Sequence, residues 1–207
     1  MKSGMSNLVD YLINIGNLRT PDIINSFLQN DRVNFVLPKY FWKAYEDNPI
    51  SIGLEQTISQ PSTVAFMMEL LQPKPGNNVL DIGFGSGWTT SILANIVGKK
   101  GSVFSVEILH DIYQFGIKNL QKYNYKNIEF YCGSWKDTKQ EKYDRILVSA
   151  AADPSVPAKL ATILTLKGRM VIPVQSGSDQ VIRLIVRNTN DKIYQKDFPN
   201  YVFVPLV

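Results

Sequence analysis

The spacing of apolar residues changes along this chain. Near the start, Leu8, Leu12, Ile13 and Ile15 are spaced for one helical face. Thr20-Pro21 offers an N-cap and a proline at the first helical position for a second helix carrying Ile23, Ile24, Phe27 and Leu28. Pro38 to Trp42 predicts a short third helix whose aromatic residues belong to the core. Gln56 to Ser59 reads as a loop, because Pro61 then opens a helix through Val64, Phe66, Met67, Leu70 and Leu71. Beyond it, short apolar runs alternate with helical ones. Strands are predicted over 79–82, 102–107, 128–132, 143–149 and 170–174, with helices over 110–123 and 156–164. Val181 to Val186 and Tyr201 to Leu206 complete the sheet as antiparallel strands. Such alternation predicts an α/β, doubly wound, mostly parallel sheet. Residues 1–50 form a helical extension packed on a main domain over 51–207, with no Gly-, Ser- or Pro-rich linker between them.

Within this pattern, Asn78 to Trp88 reads as a strand, a glycine turn and the start of a helix. Glycines at 83, 85 and 87 let the backbone pass close beneath a ligand, at the N-terminus of the helix that follows. The dinucleotide fingerprint G-x-G-x-x-G wants its third glycine at 88, where this chain has Trp88. With Asp81 at the strand end, the spacing instead resembles the first motif of S-adenosyl-L-methionine-dependent methyltransferases. Glu107 ends the next strand, where a carboxylate can accept both hydroxyls of a ribose. Right-handed crossovers place the glycine turn, Glu107, Gly133 and Ser149 on one edge of the sheet.

Composition narrows the chemistry. The 207 residues suit one domain with a real core. Net charge is +4, and Lys118, Lys122, Lys126, Lys136, Lys139 and Lys142 read as a solvated face rather than a phosphate track, so no nucleic-acid partner is expected. No apolar run approaches the roughly 20 residues that span a bilayer, and Met1 to Gly4 does not open a signal sequence. A soluble, cytoplasmic monomer is the expectation. The one cysteine, Cys132, is read as a buried strand residue and excludes an intrachain disulfide. With a lone His110, zinc chemistry and a serine hydrolase triad are disfavoured.

The stretch before the glycine turn is more specific. Tyr45-x-Asp47, Pro49, Ile52-Gly53 and Gln56-Thr57-Ile58-Ser59-x-Pro61 closely resemble a series in the protein-L-isoaspartate O-methyltransferase family. The resemblance continues through Pro75 to Asp81, Ser86-Gly87-Trp88, Ser149 to Ala152, Lys167 to Val174 and Phe203 to Leu206. It implies a Rossmann-like class I methyltransferase fold and carboxyl O-methylation of L-isoaspartyl residues in damaged proteins or peptides. The methyl ester then closes to a succinimide that can reopen to aspartate, a repair reaction. S-adenosyl-L-methionine is the implied cofactor and S-adenosyl-L-homocysteine the product. The resemblance carries the active-site role to Ser59 and substrate contacts to Gln56, Thr57, Ile58 and Val207. It assigns the cofactor to Asp81, Gly83, Gly85, Ser86, Gly87, Glu107, Gly133, Ser134 and Ser149.

A carboxylate acceptor suits the scarcity of His and Cys, because with an ordinary pKa of about 4 it is ionised at neutral pH and needs no base. Methylation of a base is not supported. After the fourth strand the chain reads Ser149-Ala150-Ala151-Ala152-Asp153-Pro154 rather than Asn/Asp-Pro-Pro-Tyr, and Cys132 lies beside no proline. Three departures from the family pattern stand out. Where relatives have Gly-Asp-Gly, whose aspartate meets the adenine amino group, this chain has Gly133-Ser134-Trp135, with Asp137 as a substitute that could swing in. Glu55 stands where many relatives have a small residue, and the sequence stops at Val207. Two other readings stay open: the same fold acting on another carboxylate or on RNA, and a non-catalytic S-adenosylmethionine-binding module.

Overall fold

A computed structural model describes residues 4–137 and 142–207. Met1 to Ser3 and Lys139, which entered the expectations above, lie outside the described residues. The chain begins with α1 (Gly4–Asn14) and α2 (Pro21–Gln29), followed by 3-10 helices at Arg32–Phe35 and Pro38–Lys43. A hairpin of β1 (Ile50–Gly53) and β2 (Gln56–Ile58) then leads into α3 (Pro61–Leu71). The alternating region comprises β3 (Asn78–Ile82), α4 (Trp88–Val97), β4 (Ser102–Glu107), α5 (His110–Leu120), β5 (Ile128–Cys132), β6 (Tyr143–Val148) and α6 (Val156–Ala161). Three long strands close it: β7 (Leu164–Ser176), β8 (Asp179–Arg187) and β9 (Ile193–Tyr201).

The main sheet has seven strands in the order β5-β4-β3-β6-β7-β8-β9. β3 pairs in parallel with both β4 and β6, whereas β7–β8 and β8–β9 are antiparallel. The chain therefore leaves the middle of the sheet in one direction, through β4 and β5, and returns to the other side at β6. The crevice at that reversal is where open α/β sheets bind ligands. Alternation along the buried strands sorts side chains to two faces. Val79, Val103, Leu147 and Val171 join a core built with α1 to α5, while Leu80, Ile82, Ile146 and Val148 face a second core with Leu160 of α6. Met5, Leu8, Val9 and Leu12 of α1 and Ile23 and Phe27 of α2 lie in the first core, so the N-terminal helices share their apolar interior with the sheet.

Several expectations need correction. The buried stripe of α1 is Met5, Leu8, Val9 and Leu12; Ile13 lies off it, and Ile15 falls beyond the helix end, so both are exposed, as is Leu28 of α2. Thr20 occupies the N-cap position of α2, but its hydroxyl donates to Glu69 Oε2 at 2.7 Å instead of capping. Phe41 and Trp42 are exposed, at 49% and 72%, because a 3-10 turn this short cannot bury all its aromatics. Gln56–Ile58 is a strand rather than a loop, and its turn residues Leu54 and Glu55 have φ of 49° and 60°. α6 ends at Ala161 and β7 begins at Leu164, since an irregularity with Lys167 at φ 63° lets the strand start well before Met170. The last strand is Ile193–Tyr201, not 201–206; being an exposed edge, it shows no apolar alternation. Cys132, at the end of β5, is exposed.

Candidate active site

The ends of β3, β4, β5 and β6 open into one cleft of about 790 Å³, including its mouth. Its floor is the glycine turn. Gly83 N–H donates to Val106 O at 2.8 Å, which folds the turn back against β4, and Gly83 and Gly85 have φ of 74° and 54°. Those left-handed values favour glycine. A Cβ on Gly85 would point to within 3.6 Å of Ile52 Cδ1, and both residues line the cleft, so a side chain there would fill space meant for a ligand.

Glu107 is the one titratable side chain on the cleft wall among the described residues. Its Oε2 accepts the Gly85 N–H at 3.1 Å and its Oε1 the Leu109 N–H at 3.0 Å. The Ile108 N–H also acts on this carboxylate, whose two oxygens carry four lone pairs between them, so acceptor capacity remains for a further donor. Burial raises the Glu107 pKa, opposed by the Leu109 and Gly85 N–H groups. Gly133 is held by its N–H to Glu107 O at 2.9 Å, and Ser149 by its N–H to Ile82 O at 2.9 Å. Both therefore sit at the sheet edge with Glu107.

The end of β2 contributes to the same cleft. Gln56, Thr57, Ile58 and Ser59 all line it, as does Val207. Ser59 lies between β2 and the N-cap of α3, which is Gln60. The first turn of α3 is capped by another residue: Asp47 Oδ1 accepts the Ser62 N–H at 2.8 Å. The chain end is pinned by two bonds of 2.8 Å, Ala151 N–H to Val204 O and Leu206 N–H to Ala151 O. Gln180 brackets Phe203, its Oε1 accepting the Phe203 N–H at 2.6 Å.

Two residues expected at the cofactor do not line the cleft. Asp81 is fully buried beneath the turn, accepting the hydroxyls of Thr90 at 2.6 Å and Thr89 at 3.1 Å through Oδ2, while Oδ1 has no partner. Desolvation pushes its pKa up to about 6, against the pull of the two threonines. Gly87 stands at the N-cap of α4 with φ 87°, and a Cβ there would come within 2.9 Å of Leu120. Both support the turn from behind. Asp137, the suggested substitute for a family aspartate, is exposed and does not line the cleft, whereas Ser134 does. Sequence reasoning missed Ile52, Ile108, Trp88 and Trp135, all on the cleft wall. Ile52 and Trp88 stood inside the motifs that carry the family resemblance without being assigned to the site, and Ile108 lies just beyond a strand-ending carboxylate. None of Lys118, Lys122, Lys126, Lys136 and Lys142 lines the cleft, and Lys122 instead donates to Asn34 O at 2.6 Å.

The residues present fit an adenosyl cofactor: a carboxylate at the end of β4, a glycine-rich turn that lets backbone come close, and a wall of apolar and hydroxyl side chains. Known proteins agree. A protein-L-isoaspartate O-methyltransferase of Pyrobaculum islandicum is 35% identical over 202 residues, covering 96% of this chain and 97% of its own. One from Staphylothermus marinus is 38% identical over 208 residues, covering 97% and 92%. The fold matches a Plasmodium falciparum chain described as a protein-L-isoaspartate O-methyltransferase in complex with S-adenosyl-L-homocysteine. The TM-score is 0.88 at 24% identity, covering 100% of this chain and 99% of that one. The model of the protein-L-isoaspartate(D-aspartate) O-methyltransferase family matches residues 3–207, and the chain belongs to that family.

Proposed function

We propose that this protein is an S-adenosylmethionine-dependent carboxyl O-methyltransferase acting on L-isoaspartyl residues of damaged proteins or peptides. When bound, the cofactor supplies an activated methyl group, and S-adenosylhomocysteine is left after transfer. Glu107 would accept the ribose hydroxyls, and the turn from Gly83 to Ser86 would lie under the cofactor. Ser59, with Thr57 and Ile58, would hold the acceptor carboxylate. The observation that carries this reading is the makeup of the wall: among the described residues no His, Cys, Lys or Arg lines the cleft. An amine or hydroxyl acceptor at neutral pH needs a group to remove its proton, whereas an ionised carboxylate does not. Catalysis then rests on holding two reactants in line, which is what a cleft of fixed backbone can do. The absence of wall cations also speaks against RNA as acceptor, because phosphate contacts dominate its binding. The exposed, unpaired Cys132 is in keeping with the reducing cytoplasm.

The test is transfer of labelled methyl to an isoaspartyl peptide, with the matching aspartyl peptide as control. Ser59→Ala should lower the rate by about one to two orders of magnitude through loss of an oriented hydrogen bond, with S-adenosylhomocysteine affinity little changed. Equal labelling of the two peptides, or none of either, would remove the repair reading. An undiminished rate in Ser59→Ala would remove Ser59 from the acceptor site.

A further inference from the structure

Arg32 is fully buried, yet among the described residues its guanidinium meets no carboxylate at hydrogen-bonding distance. It donates instead to four backbone carbonyls. Nη1 reaches Ala44 O at 2.9 Å and Glu46 O at 3.2 Å, and Nη2 reaches Asn48 O at 2.9 Å and Ser59 O at 3.0 Å. Its Cζ also lies 5.4 Å from the ring centroid of Trp88, within cation–π range. Burial lowers its pKa to about 9, with Asp47 and Glu46 opposing, so it stays charged at neutral pH.

Two of the partners belong to the cleft wall. Ser59 is on the acceptor side, at the end of β2, and Trp88 is the first residue after the glycine turn; both line the cleft. Trp88 is itself fixed from the N-terminal extension, its Nε1 donating to Asn30 O at 2.9 Å. Arg32 thus joins Ser59, which follows β2, to Trp88, the first residue of α4 beyond the glycine turn. It is also a fixed positive charge one hydrogen bond behind the wall, in a cleft whose own titratable side chain is the carboxylate of Glu107. We propose that Arg32 is a positioning residue for methyl transfer: it sets the Ser59 backbone against the glycine turn and gives the acceptor end a positive field for an anionic substrate. The inference rests on the carboxylate-acceptor reading above. A charge held in place before the substrate arrives strengthens binding of an anionic acceptor without costing reorganisation, so its loss is read in KM.

The experiment compares wild type, Arg32→Lys and Arg32→Met by steady-state methylation of an isoaspartyl peptide and by calorimetry with S-adenosylhomocysteine, well below each variant's melting temperature. Arg32→Met should raise KM for the peptide by about tenfold or more while cofactor affinity stays within about twofold, and Arg32→Lys, which keeps the charge but fewer donors, should fall between. A purely structural role would lower the melting temperature and the active fraction, which reduces apparent kcat but leaves KM alone. Unchanged KM in whichever variant folds overturns the proposal. Failure of the wild type to methylate the peptide overturns the carboxylate-acceptor reading and this inference with it. A wild type that turns over beside variants of unaltered KM overturns the inference alone.

Discussion

Glu107→Gln is the sharpest probe of the cofactor site, because the substitution keeps shape while removing charge and half the acceptor capacity. In the wild type, Oε1 accepts the Leu109 N–H and Oε2 the Gly85 N–H, and the acceptor capacity left on the charged group is open to ligand hydroxyls. A glutamine has one carbonyl oxygen and one NH₂. Whichever way it turns, the NH₂ faces a backbone donor that had an acceptor, and one ribose hydroxyl loses the acceptor for its own O–H. The hydroxyl that remains bonds a neutral oxygen instead of a charged one. Hydrogen bonds to charged groups contribute about 1.5–3 kcal/mol, so affinity for S-adenosylhomocysteine should fall by roughly ten- to 150-fold. The orphaned N–H is a separate cost of about 1–3 kcal/mol. It is borne by the free protein as well, and is offset there because glutamine needs no burial of charge.

Affinity should therefore drop far more than melting temperature does. Calorimetry with S-adenosylhomocysteine, alongside thermal unfolding of the unliganded protein, separates the two. A dissociation constant within about threefold of wild type would show that Glu107 braces the glycine turn and does not hold the ribose. The raised pKa of Glu107 adds a check. The carboxylate is protonated at higher pH than an ordinary one, so wild-type affinity should begin to weaken on acidification earlier than the usual glutamate range, and the Gln variant should lack that step.

Asp81 governs stability rather than binding. Its folded pKa of about 6 lies above the ordinary 3.8, so its contribution is full below about pH 4 and is lost as pH rises through 6, roughly 3 kcal/mol by pH 7. Urea unfolding from pH 4 to 7 should show that slope in wild type and a flatter one in Asp81→Asn; parallel curves would refute it. Gly85→Ala should fold and lose cofactor affinity, whereas Gly87→Ala should mainly lower the melting temperature through Leu120 and a φ of 87°; the same loss of affinity in both would mean the turn acts as one structural unit. Ser134→Asp should keep the bond from Lys136 N–H, now 3.3 Å to the Ser134 hydroxyl, and add a charged acceptor to the cleft, tightening S-adenosylhomocysteine severalfold. Unchanged or weaker binding by calorimetry would mean that Ser134 is not near the adenine.

What could be read from the sequence follows the strength of local constraint. β3, β4 and β6 are buried on both faces, so their apolar runs are continuous and their ends sharp, and the glycine turn and Glu107 are fixed by those ends. β9 is an exposed edge, and Ile193–Tyr201 carries no pattern to read. The β1–β2 turn was hidden for a different reason. Tight hairpins usually announce themselves with Asn-Gly or Asp-Gly, and here Leu54 and Glu55 take the left-handed conformation instead. Asp81 and Gly87 share the spacing of the turn but neither lines the cleft, a distinction invisible without the third dimension.

Arg32 was illegible for a reason that bears on how the acceptor side is built. A charged residue in a polar stretch reads as surface, and nothing near Asn30-Asp31-Arg32 marks it as buried. Yet the segment from Ala44 to Ser59 runs past the protein interior with only two short strands, so several of its carbonyls have no ladder to join. Buried carbonyls must be satisfied by something. A guanidinium presents five N–H donors in a rigid plane, and here four carbonyls from that segment converge on it. Arg32 therefore does for an irregular stretch what a helix or sheet does for a regular one: it fixes backbone by hydrogen bonding. That lets the chain hold Ser59 on the cleft wall, between the end of β2 and the start of α3, by a bond of its own carbonyl to Arg32.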